Sequence, residues 1–126
     1  MPKLFISYRW EDREYKEGFR GLLMNPNNSF IDIPLEDRET LHTEEEIRKY
    51  LNAKIREANA IIVLIGENTH NGYWVLHELS VAKAQRKPII PVRIPETTGG
   101  SPKTIKNLKI VEWNVKSIEE VLNEVL

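Results

Sequence analysis

The sequence has no cysteine, which removes both a disulfide framework and thiolate chemistry. It also lacks a long hydrophobic run. The longest, "AIIVLIG" (Ala60–Gly66), is far short of the ~20 apolar residues that span a bilayer. Neither charge dominates, because 18 Lys and Arg offset 19 Asp and Glu, and no basic footprint for nucleic acid results. The nucleotide fingerprints G-x-G-x-x-G and G-x-x-x-x-G-K-[ST] do not occur. The three histidines, His42, His70 and His77, have no metal-ligand spacing and read as surface or capping residues. The opening "MPKLFISY" enters an apolar strand directly, without a secretory signal pattern. A cytoplasmic, metal-independent domain is expected, with no nucleic-acid or membrane partner.

What is present is the balance of an ordinary globular domain, 40% hydrophobic and 29% charged over 126 residues. That length suits a single domain, 1–126. Short β-branched runs alternate with helical patterns. "LFIS" (Leu4–Ser7) is followed by a helical segment, Glu11–Met24, with Tyr15, Phe19, Leu22 and Leu23 at helical spacing. After the turn "NPNNS" comes the short strand "FIDI" (Phe30–Ile33). Thr43 and Glu46 form a capping box for a helix to about Glu57, with Ile47, Leu51 and Ile55 as its buried stripe.

The continuous run "AIIVLIG" suits a central strand covered on both faces. A helix over Tyr73–Gln85 follows it, and then the strand "KPIIPVRI", in which Pro91 predicts an imperfect ladder. "KIVEW" (Lys109–Trp113) reads as a short fifth strand. Ser117–Leu126 reads as a closing helix with Ile118, Val121, Leu122 and Val125 inward. This alternation predicts an α/β three-layer fold: a five-stranded parallel sheet in flavodoxin-like order, with helices on both faces.

Ligands of such sheets sit beyond the carboxyl ends of the strands, where the strand order reverses. The loops selected by that rule carry Ser7, Tyr8, Arg9, Asp12, Asp32, Asp37, Arg38, Glu67, Asn68 and Thr69. Hydroxyls, aromatics and both charge signs suit a polar, ring-bearing ligand; solvated loop residues and helix caps are the plainer reading. A phospho-receiver needs a carboxylate cluster after the first strand and an acceptor aspartate ending the third. Here those strands end in Ser7-Tyr8-Arg9 and Gly66-Glu67. "SYRWEDRE" is too bulky and acidic for an FMN-phosphate loop.

One carboxylate stands out. When Tyr73–Gln85 is wound at ~100° per residue, Trp74, Val75, Leu79, Val81 and Ala82 gather on one arc. Glu78 lies inside that arc, between Trp74 and Ala82 at i−4 and i+4. Either it is an inward group paired with an arginine (Arg9 or Arg38) or a backbone amide, or it faces a cleft at the ligand edge. Burial without a partner would shift its pKa upward or cost several kcal/mol.

These residues carry a resemblance. "KLFISYRWED" resembles the first box of Toll/interleukin-1 receptor (TIR) domains, and "AIIVLIGENTHNGYWVLHEL" resembles their later strand and W-x-x-x-E helix start, with Trp74 and Glu78 in the matching places. "KPIIPVRI" is similar to the strand that follows. The register runs from about Lys3 to Ile94, and its specific part is W-x-x-x-E just after a buried strand. The compact tail resembles the smaller TIR-like proteins of bacteria and archaea, some of which serve in antiphage defence of the Thoeris kind. The chain departs from the pattern after the second strand, where "DIPLEDRETLHTEEE" keeps Asp37-Arg38 but lacks the Pro-Gly of many BB loops. It also has "EANA" where many TIR domains carry a serine before the third strand.

The resemblance implies that Glu78 is the glutamate of TIR enzymes that consume NAD⁺. Such an enzyme cleaves the nicotinamide–ribose bond and either hydrolyses or cyclises the product to an ADP-ribose-type signal. NAD⁺ is then the substrate, and no cofactor is implied. Trp74 or Tyr8 would wall the nicotinamide side, Ser7 and Arg9 would meet the pyrophosphate or adenosine side, and Asp32 belongs to the same nucleotide-binding set. A homo-oligomer that completes the site is also implied, because TIR enzymes often assemble it across subunits. Two other readings stay open: a non-catalytic TIR-like interaction or nucleotide-binding module, and an N-ribosyl transferase with a nucleophilic glutamate.

Overall fold

The computed structural model describes residues 2–23, 29–31 and 43–126. Strand β1 (Lys3–Ser7) leads through a 3-10 turn (Trp10–Asp12) into helix α1 (Arg13–Leu22). Strand β2 (Ser29–Ile31), helix α2 (Glu44–Glu57), strand β3 (Ala60–Ile65), helix α3 (Tyr73–Ala84), strand β4 (Ile89–Arg93) and helix α4 (Val115–Val125) follow. The strands are parallel in the order β2-β1-β3-β4. The chain therefore steps to one side of β1 and then crosses to the other, which makes the carboxyl ends of β1 and β3 the switch point at which ligands of such sheets bind.

The burial explains the assignments. All six residues of β3 are buried, as a strand flanked by two others and covered on both faces requires. Alternation along β1 and β3 divides the interior into two faces. Leu4, Ile6 and Tyr8 join Ala60, Ile62 and Leu64 under Phe19 of α1 and Ile118 and Leu122 of α4. Phe5 and Ile61 meet Leu51 and Ile55 of α2 and Ala82 of α3, while Val63 and Ile65 meet Val75 and Leu79 of α3. Each such aliphatic side chain contributes about 1.5–3 kcal/mol on burial.

Helix α2 begins as its sequence predicts. The Thr43 hydroxyl accepts from the Glu46 N–H at 3.1 Å, with acids in the first turn and Lys54 and Arg56 in the last, matching the helix dipole. Helix α3 ends in a Schellman turn, with Lys87 N–H donating to Ala82 O at 2.9 Å and Arg86 N–H to Lys83 O at 3.0 Å. Arg86 takes the left-handed position there, φ 57°, usually filled by glycine.

Three expectations are corrected. Among the described residues the sheet has four strands, not five. The segment expected as the fifth makes one parallel bridge, Val92 to Val111, through Val111 N–H to Pro91 O at 2.8 Å and Arg93 N–H to Val111 O at 2.9 Å. It lies beside β4, where a fifth flavodoxin-like strand belongs, but Asn114 already caps α4 and leaves no length for more. The closing helix starts earlier than Ser117, at Val115, because Asn114 Oδ1 accepts from Ser117 N–H at 2.8 Å. Its Val125 is exposed at the last turn, beyond the reach of the sheet. The expected second strand extends to Asp32 and Ile33, which lie outside the described residues.

Candidate active site

Strand β1 ends at the switch point, and its pleat decides which side chains can meet there. Leu4, Ile6 and Tyr8 turn toward α1 and α4; Phe5 turns toward α2 and α3. Ser7 falls on the Phe5 side, in register with Val63 of β3. Helix α3 leaves the β3 loop and lays Val75, Glu78, Leu79 and Ala82 inward, the arc anticipated from periodicity. Ser7 and Glu78 are both 0% exposed. The Ser7 hydroxyl donates to Glu78 Oε1 at 3.2 Å, so two residues 71 positions apart meet where the first strand ends.

Arg9 does not pair with Glu78. Its Nη1 donates to the Asn68 carbonyl at 3.1 Å, and its Nε lies 3.4 Å from Glu11 Oε1. A Cβ on Gly72, the residue capping α3, would stand 3.0 Å from Arg9 Cγ. Arg9 thus binds the first loop to the third beside the start of α3. Arg38, the other cation considered for Glu78, lies outside the described residues, as do Asp32, Asp37 and His42.

Trp74 is half-buried on the α2 side, edge-on to Tyr73 (centroids 5.1 Å apart) and to His77 (5.8 Å). Tyr73 Oη bonds to both Glu44 and Arg48 of α2. His77 Nε2 lies 3.1 Å from Asn52 Oδ1, and burial chiefly, with Arg48 nearby, lowers its pKa. His77 is thus a half-buried contact between α2 and α3, while His70 is exposed. Tyr8 is not brought to Glu78, since it packs on the opposite face of the sheet, with Lys16 Nζ 5.7 Å from its ring centroid.

The third loop is held by its own polar residues. Thr69 Oγ1 accepts from Gly66 N–H at 2.8 Å and donates to Leu64 O at 3.1 Å. Glu67 accepts from the Thr98 N–H at 2.8 Å. Thr69 thus closes its own loop, while Glu67 ties that loop to the segment after β4. Asp12, only 9% exposed, has one carboxylate oxygen, Oδ2, without a hydrogen bond. Its pKa is raised, first by burial and then by Glu11, against a smaller lowering by Arg9. A Cβ on Gly66 would sit 2.6 Å from that oxygen, so Gly66 is a glycine by close approach.

The Ser7–Glu78 contact has no local signature in the sequence; only the alternation of β1 together with the helical wheel of α3 would point to it. The Asp12–Gly66 contact had none either. Among the described residues, no group of three or more His, Asp or Glu side chains could hold a metal ion. Nor is any helix among them long and apolar enough to cross a membrane.

The comparisons agree with this architecture. Residues 5–99 match the family model described as "Thoeris protein ThsB, TIR-like domain". The fold is similar to the TIR domain of the Toll-related receptor TRR-2 from Hydra magnipapillata, at TM-score 0.72 and 15% identity, covering 99% of this chain and 98% of that one. It is also similar to a prokaryotic SEFIR domain, at TM-score 0.59 and 20% identity, covering 99% and 90%. The TIR domains of the activated Roq1 resistosome, which directly recognizes the pathogen effector XopQ, align at TM-score 0.61 and 15% identity over 100% of both chains. No curated protein matches the chain in sequence.

Proposed function

The chain belongs to the TIR-like domain family of the Thoeris protein ThsB, and on that premise we propose that it acts in defence signalling by cleaving the nicotinamide–ribose bond of NAD⁺. The observation that carries this reading is Glu78: a carboxylate on the inner arc of α3, held by Ser7 at the end of β1, beside the reversal of strand order.

The reaction suits one carboxylate. The C1′–N1 bond breaks and its electron pair leaves with nicotinamide, which departs neutral from a cationic ring. Positive charge develops on the ribose as in glycoside hydrolysis, but with a neutral leaving group no second carboxyl is needed as an acid. Glu78 accepts hydrogen bonds from the 2′- and 3′-hydroxyls, which orients the ribose and stabilises its developing charge. Attack at C1′ by water, with loss of its proton, gives ADP-ribose; attack by a hydroxyl of the same molecule gives a cyclic isomer. Trp74 supplies an aromatic wall two helical positions from the α3 cap, and Arg9 a cation for the pyrophosphate side. Asp32 completes the nucleotide-binding set, and a homo-oligomer contributes the remaining wall, a reading supported by the assembled origin of the Roq1 TIR domains.

A second reading has an observation in its favour. Glu78 is wholly enclosed, which suits a non-catalytic TIR-like signalling module in which Ser7–Glu78 merely seats α3 on the sheet. The two readings part on one assay. Purified protein at high concentration, supplied with candidate activators, consumes NAD⁺ and Glu78→Gln does not if the enzyme reading is right. Intact NAD⁺ with the wild type, together with full biological activity in Glu78→Gln, selects the module.

A further inference from the structure

We infer that Ser7 is a positioning residue for Glu78 and not a ligand contact, an inference that rests on the catalytic reading of Glu78. Its hydroxyl donates to Glu78 Oε1 at 3.2 Å, and both residues are 0% exposed. The one hydrogen of that hydroxyl is already given to Glu78, so Ser7 has none left to donate to a phosphate. Serine is also the polar exception in this part of β1, where Leu4, Phe5 and Ile6 are all buried and apolar. A buried hydroxyl is unfavourable unless it is bonded, so an apolar residue would serve packing better. The bond to Glu78 is what the serine adds.

The mechanical basis is the difference between the two partners. Ser7 ends a strand that is paired to β2 over Lys3–Phe5 and to β3 from Leu4 onward, with Ser7 itself in register with Val63. Glu78 carries a three-torsion side chain on a helix, and its carboxylate position is set only where something holds the far end. A donor on rigid sheet backbone, aimed at one oxygen, restrains the position of the carboxylate. That pre-organises a group whose task is to face developing positive charge.

The test compares wild type, Ser7→Ala, Ser7→Thr and Glu78→Gln, all checked for unchanged unfolding midpoints. A ligand-contacting serine and a positioning serine fail differently: loss of a uniform binding contact raises KM, whereas a displaced catalytic group lowers kcat. We expect Ser7→Ala to lower kcat by about 10- to 100-fold, the scale of a slight misplacement, with KM within about twofold of wild type. Ser7→Thr, which restores the hydroxyl, should recover most of kcat.

A second readout does not need turnover. The ¹³C carboxyl resonance of Glu78, identified by its loss in Glu78→Gln, should move in Ser7→Ala and return toward its original position in Ser7→Thr. A resonance that ignores Ser7→Ala, or a Ser7→Ala variant that raises KM with kcat unchanged, overturns the inference. If wild type consumes no NAD⁺ but the resonance responds as stated, the catalytic reading of Glu78 fails while the Ser7–Glu78 coupling stands.

Discussion

The sheet meets its helices in two different ways. On the α1 and α4 side, β1 contributes Leu4, Ile6 and Tyr8, and the layer above is closed by Phe19, Ile118 and Leu122. Phe19 is edge-on to Phe30 and Trp113, at 6.4 and 5.8 Å between centroids. On the α2 and α3 side the same strand contributes Phe5 and then Ser7, and the interior changes from hydrocarbon to a hydroxyl–carboxylate bond. Both faces are sealed. One is closed by aromatic and aliphatic packing, while the other includes a buried carboxyl group that packing would not select.

The widest test of that contrast is Phe19→Ala. Removing a fully buried ring from the apolar face should cost about 3–5 kcal/mol, measured by urea unfolding. The next effect lies where the loops meet at the switch point. Gly66→Ala drives a methyl against Asp12 Oδ2 and should cost about 1–3 kcal/mol as overpacking. In a double-mutant cycle, Asp12→Ala should recover much of that loss, and additive costs would refute the contact.

On the polar face, Glu78→Gln keeps an acceptor for Ser7 and should change stability by less than about 1 kcal/mol. If Glu78→Gln instead costs as much as Phe19→Ala, the carboxylate is structural and the contrast between the faces collapses.

The smallest effect is one of slope. Asp12 has its folded-state pKa raised by burial, so between the ordinary carboxylate range and that raised value the folded state binds more protons than the unfolded chain. The contribution of Asp12 to stability therefore falls as pH rises through this window and is level above it. Asp12→Asn should gain stability relative to wild type as pH rises through the window, then hold a constant difference. A difference independent of pH would exclude the raised pKa.

Much of this was legible in the residues, and the reason varies by element. "AIIVLI" announces β3 because a strand buried on both faces needs no alternation, and Thr43 announces α2 because its side chain replaces a missing backbone partner. Glu78 was legible as an anomaly on the α3 wheel. Its partner was not. Alternation along β1 alone does not say which of its faces meets α3, and Arg9, the charged candidate nearby, is bound to Asn68 and Glu11. Tyr8 follows the same logic, since its neighbour Ser7 points toward α3 and the pleat sends Tyr8 the other way. The fifth strand failed for want of length, because its β-branched residues reach β4 only three positions before Asn114 starts α4.

The central claim is that Glu78 is a working carboxylate held by the sheet. It is tested most directly by the disappearance of NAD⁺ and the appearance of nicotinamide with wild type and Glu78→Gln at matched folded concentration. Wild type should release nicotinamide equimolar with the NAD⁺ lost, and Glu78→Gln should show at least about a 100-fold loss, the scale reached when a preorganised electrostatic contact is removed. Equal release by both proteins, or none by either under every activating condition, would contradict it.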